Sequence, residues 1–165
     1  MDNYNIAEAT IKKVSEILKI PAPKVFTDKP NFFPHNEVSC MYIQSKDTIV
    51  FNDLWIKEID TMEVVAAAIH ETRHTYQYYC VKNNVNENNE TIEAWKDCFD
   101  SYNKPSTTLD SNDDLDYLNQ AIEIDAIAFA YHIMQVWFEM KLIIPEVIKE
   151  KVFDRIKELK QNQSY

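Results

Sequence analysis

The sequence predicts a mostly helical α+β domain with a small antiparallel sheet, and three observations lead there. Apolar residues recur at three- and four-residue steps over most of the chain, β-prone runs are confined to the first third, and neither an internal repeat nor a linker interrupts residues 1–165. One domain of this length buries about two thirds of the surface its unfolded chain exposes, so a single core is expected.

Residues 3–19 place Ile6, Ala7, Ile11, Val14, Ile17 and Leu18 on one helical face, and Pro21 and Pro23 end that helix. Residues 24–27 suit a short strand, and 31–36, flanked by Pro30 and holding Pro34, a loop. The β-prone runs 38–44 and 48–52 flank Ser45, Lys46 and Asp47, which predicts a hairpin. Asp60 or Thr61 can cap a helix that begins at Glu63 or Val64 and runs to about Lys82. After an asparagine-rich break at 83–89, residues 90–102 read as a helix with Ile92, Trp95, Cys98 and Phe99 inward. Residues 103–113 form a polar loop or flap, 115 to about 140 one long helix, and Pro145 opens a last helix marked by Val147, Ile148, Val152, Phe153, Ile156 and Leu159.

Composition removes several classes of function. A formal net charge of -10, with 17 Lys and Arg scattered along the chain, opposes nucleic-acid binding and mildly favours a basic substrate or partner. Residues 1–10 lack a basic stretch followed by an apolar one, and no apolar run reaches bilayer length, so a cytoplasmic protein without a membrane partner is expected. Cys40, Cys80 and Cys98 show no CxxC spacing and suit free buried thiols. The chain has no glycine, which excludes phosphate-cradling loops of the P-loop and dinucleotide-binding kinds.

Residues 70–74 read His-Glu-Thr-Arg-His, the HExxH pattern, within a predicted helix. Residues four apart share a helix face with Cβ atoms about 5–6 Å apart, so His70 and His74 can meet one Zn²⁺ ion. From the adjacent position the Glu71 carboxylate can take a proton from an attacking water and later pass it to a leaving group. The preceding segment, 64–69, is apolar on all sides, and buried imidazoles beside a carboxylate need partners or a metal.

A catalytic zinc site has three protein ligands and one open position. Extension to HExxHxxGxxH would require Gly at 77 and His at 80, whereas the chain has Gln77 and Cys80, so the helix should simply continue. Between residues 121 and 138, Glu123, Asp125, Tyr131 and His132 are the ionisable groups in an otherwise apolar stretch. Buried acids need a partner or a metal, although Asp116, Gln120 and Glu123 could instead form a solvent-facing edge. Two residues correspond to about 200° around a helix, so only one of Glu123 and Asp125 can face a given ion, while Asp125 and His132 share a face and could orient each other.

In these motifs the chain resembles the gluzincin branch of the zincin metallopeptidases, and in particular the ImmA/IrrE-like peptidases. The likeness spans about residues 38–134: a hairpin ending Ile49-Val50-Phe51-Asn52, then His70-Glu71-Thr72-Arg73-His74, then Glu123-Ile124-Asp125-Ala126-Ile127-Ala128-Phe129-Ala130. The resemblance implies a zincin-like domain over 1–165 with zinc ligands His70, His74 and Glu123 and general base Glu71. It implies a cofactor, Zn²⁺, and a protein or peptide substrate of the intracellular kind, with transcription regulators the class such proteins often act on. Arg73 stands where many relatives have glycine, Ile127 where they often have Asn or Asp, and the Leu-Met-Pro ending is missing. An inactive zincin-fold protein that binds a partner is the alternative. Tyr76, Tyr117, Tyr131, His132 and His35 are candidate donors to an oxyanion.

Overall fold

Among the described residues, five with side chains take the left-handed backbone turns that a glycine would ordinarily supply: Lys19 (φ 56°), Asp47 (φ 48°), Asn84 (φ 53°), Asn86 (φ 69°) and Glu139 (φ 56°). Asn and Asp visit this region at small cost, and four of the five turn the chain at a helix or hairpin boundary. The computed structural model describes residues 2–106 and 113–162; part of the loop expected over 103–113, residues 107–112, lies outside them. The chain divides into two compact units, Met1–Tyr76 and Gln77–Tyr165.

In the first unit, helix α1 spans Asn3–Leu18, with the Asp2 carboxylate accepting from the Asn5 N–H at 2.9 Å. It stops at Lys19, where the Lys19 and Ile20 N–H groups return to the Glu16 and Ser15 carbonyls. Strands β1 (Lys24–Asp28), β2 (Cys40–Ile43) and β3 (Thr48–Asn52) form a sheet in the order β1-β3-β2. The expected hairpin is present, with Ile43 opposite Thr48, but the sheet is mixed and not antiparallel because β1 lies parallel to β3, Val25 beside Ile49. The stretch from Lys29 to Ser39 is long enough to carry the chain past the end of β3 to its far side. Asn52 secures that passage: its Nδ2 donates to the Asn36 and Val38 carbonyls, and its Oδ1 accepts from the Leu54 and Trp55 N–H groups. Every residue of β3 is buried, as befits a central strand.

Ala7 and Ile11 of α1, Val25, Ile49 and Phe51 of the sheet, Ile56, and Val64 and Ala68 form one core cluster. Ile56 belongs to a four-residue helix, α2 (Trp55–Glu58), that the periodicity does not announce. Helix α3 runs Thr61–Asn83, starting slightly before the expected residue, with the Asp60 carboxylate accepting from the Met62 N–H at 2.8 Å. It continues unbroken through Gln77 and Cys80, as the lack of glycine there requires, and ends where the Val85 N–H bonds the Cys80 carbonyl beyond Asn84.

In the second unit, α4 (Asn89–Asp100) is capped by Asn88 and buries Ile92 and Trp95, while Cys98 and Phe99 are half-buried. The single helix expected from 115 to about 140 is two: α5 (Leu115–Leu118) and α6 (Ala121–Phe138). Gln120 breaks them with an extended backbone (ψ 140°), and its side chain explains the break. Its Oε1 accepts from the Asn103 N–H at 2.9 Å and its Nε2 donates to the Asn103 and Tyr117 carbonyls, contacts that a straight helix would forgo. Pro145 precedes a 3-10 turn (Glu146–Ile148), and α7 begins at Lys149 and runs to Asn162, burying Val152, Ile156 and Leu159. Helix α6 packs against α7 and α4. Among the described residues, no helix is long and apolar enough to cross a membrane.

Candidate metal centre

Helical spacing puts His70 and His74 of α3 on one face, and their rings meet at a centroid distance of 4.7 Å, nearly perpendicular. Their Nε2 atoms are 3.0 Å apart. Two ring nitrogens at that separation can either share one proton or present both lone pairs to a cation. Glu123, in the first turn of α6, is fully buried and supplies a carboxylate. One ligand atom from each of His70, His74 and Glu123 lies within 4.8 Å of the others, so the three could hold a metal ion. Two imidazoles and a carboxylate suit a divalent transition metal, zinc among them, so the residues present fit such an ion.

The other residues near the motif have distinct tasks. Glu71 is buried, and its Oε1 lies 3.6 Å from the Cys40 sulfur, which donates a weak hydrogen bond. Burial and the Glu71 charge push the Cys40 thiol well up, so it stays protonated and able to donate. Cys40 was expected to be a buried free thiol, which it is, but its contact with Glu71 has no signature in spacing. Arg73 is 2% exposed, with its guanidinium 4.3 Å from the centre of the Tyr76 ring. Tyr76, one of the candidate oxyanion donors, is thereby the face on which a buried arginine rests.

The acids of α6 separate by helix face. Both are buried, so the solvent-facing edge is not what the helix forms. Glu123 Oε1 accepts from the Tyr102 hydroxyl at 2.9 Å and Oε2 from the Tyr117 hydroxyl at 3.1 Å. Tyr117, a candidate oxyanion donor by sequence, is therefore turned to Glu123. Asp125 Oδ1 takes the Arg155 Nε–H at 2.8 Å, and Oδ2 takes the Gln77 amide at 2.7 Å. Asp125 is thus engaged in an ion pair and not with His132, whose buried Nδ1 has no hydrogen-bond partner. The Arg155 partnership was legible: three residues after Val152 and four before Leu159, it sits on the apolar face of α7, where a charge needs a counter-charge.

The remaining candidates lie apart from these contacts in function. Tyr131 sets its ring edge-on to Phe153 at 5.8 Å, a packing role, and the half-buried His35 lies in the loop between β1 and β2 with its Nε2 buried and unpartnered. Comparison of the chain with family models, with curated proteins and with solved structures finds no match.

Proposed function

We propose that the chain is a zinc-dependent peptidase of the zincin type, with His70, His74 and Glu123 as ligands and Glu71 as general base. The observation that carries this reading is the convergence of two imidazoles and one carboxylate within 4.8 Å, with Glu71 next in sequence to the first of them. Zinc, when bound, supplies a Lewis acid that makes water a nucleophile near neutral pH. Glu71 then takes a proton from the attacking water and delivers it to the leaving amine. The Cys40 thiol orients one oxygen of that carboxylate by donating to it. Arg73, within the motif, is held over the Tyr76 ring. The substrate we propose is a peptide bond in an intracellular protein, with transcription regulators the class suggested by the ImmA/IrrE-like resemblance.

The test is metal analysis of the purified protein followed by turnover of a quenched-fluorescence peptide library. One zinc per chain and cleavage that is abolished by Glu71→Gln, with the metal retained, is the expected result. Absence of zinc after reconstitution would overturn the reading. Zinc retained by a parent protein that cleaves nothing would favour a partner-binding protein of the same fold instead.

A further inference from the structure

Tyr117 and Glu123 should not be able to meet. On a continuous helix, six residues would set them about 120° apart around the axis and about 9 Å apart along it, on different faces. The break at Gln120 removes that obstacle: it ends α5 before α6 begins, so the Tyr117 hydroxyl reaches back to Glu123 Oε2 at 3.1 Å. The same glutamine, by bonding both the N–H and the carbonyl of Asn103, fixes the backbone next to Tyr102, whose hydroxyl reaches Glu123 Oε1 at 2.9 Å. The two rings stand edge to face, 6.2 Å apart at 89°, so neither can swing without disturbing the other.

From this geometry we infer that Tyr102 and Tyr117 are positioning residues for a bound cation, clamping both oxygens of Glu123 so that the carboxylate is presented in one orientation. The inference rests on the metal reading above and deepens it, since the clamp acts on the one acid among the three ligands. The chemistry favours such an arrangement. A fully buried carboxylate must be hydrogen-bonded or paired to remain charged, and each oxygen that accepts one hydroxyl proton retains a lone pair for a metal. Fixing the carboxylate before the ion arrives also reduces the ordering cost of binding. Gln120 acts one step further out, through the placement of both tyrosines.

Zinc affinity of the full chain, measured by competition with a chromophoric chelator, tests the clamp without relying on catalysis. Tyr102→Phe and Tyr117→Phe keep the rings and remove only the hydroxyls. Each should weaken zinc binding several-fold, and together about 10- to 100-fold, the range for groups that orient a ligand. The visible spectrum of the cobalt-loaded protein should shift in the double variant, because the carboxylate then meets the ion differently; a role in packing alone would leave that spectrum unchanged. Equal zinc affinity and an unchanged cobalt spectrum in a parent that binds metal would overturn the clamp alone. Tighter binding in the variants would also overturn it, by showing that the hydroxyls chiefly withdraw charge from the carboxylate. No metal binding by the parent would overturn the metal reading first, and the clamp with it. Gln120→Ala should reproduce part of the loss, and an unaltered affinity there would confine the clamp to the tyrosines themselves.

Discussion

The two parts of the candidate ligand set are held in different ways. His70 and His74 need only a helix: the four-residue step along α3 brings their Nε2 atoms to 3.0 Å with no help from distant sequence. Glu123 needs a break in a helix, a glutamine bonded to a backbone 17 residues away, and two tyrosines from separate segments. Local geometry therefore makes the histidine pair robust to changes elsewhere. The carboxylate depends on a network in which each member holds the next.

The largest effect that sharpens this contrast is on metal binding itself. His74→Ala removes a proposed ligand and should abolish stoichiometric zinc, whereas Glu123→Ala should weaken binding by 10-fold or more and end any hydrolysis. Zinc content after dialysis against a weak chelator separates the two. If Glu123→Ala retains the parent's affinity, the carboxylate is not a ligand and the clamp serves packing alone.

Next in size is the neighbouring acid. Asp125→Ala removes the 2.8 Å carboxylate partner of the Arg155 guanidinium, 16% exposed, which keeps Glu158, and one of the acceptors of the Gln77 amide, which keeps the Ile122 carbonyl. Breaking one side of a buried ion pair costs about 3 kcal/mol. For a chain of this length that lowers the melting temperature by roughly 6–12 °C. Zinc affinity should stay within about threefold of the parent, by comparison with the 10- to 100-fold loss for groups that orient ligands. Metal lost with Asp125 but kept without Glu123 would exchange the roles assigned to the two acids.

The smallest expected effect concerns His132, in the second half of α6. Its burial first, and then the positive charge of Lys160, lower its pKa, so the folded protein prefers the neutral ring. Between its folded and unfolded values the unfolded chain binds more protons, and stability therefore rises with pH. The contribution is fully present above the unfolded value of about 6.5 and is lost as pH falls below it. Thermal melts of the metal-free protein between about pH 5 and 8 should show this slope, by the same linkage. His132→Gln should flatten it, and an unchanged slope would place the proton uptake on other groups.

What was readable in the chain follows from how far each decision reaches. The HExxH helix, the helical face of α1 and the hairpin depend on periodicity over a few residues, and all three lie where the pattern puts them. The unbroken burial potential of Thr48-Ile49-Val50-Phe51-Asn52 could have marked β3 as central, yet nothing local says that β1 pairs parallel to it. That pairing is decided by the passage over the end of β3 that Asn52 secures.

The sequence by itself determined the residue types of the candidate site: two histidines one helical turn apart, a glutamate beside the first, and two acids on an apolar stretch that had to find partners. Tertiary structure alone decided which acid went where. Glu123 and Asp125 face different sides of α6, and a carboxylate's assignment depends on what waits there: two tyrosine hydroxyls for one, a guanidinium and an amide for the other. It also decided that the helix expected through residue 120 should break. The backbone hydrogen bonds forgone there are offset by three from the Gln120 side chain, to partners that lie up to 17 residues away and have no local signature.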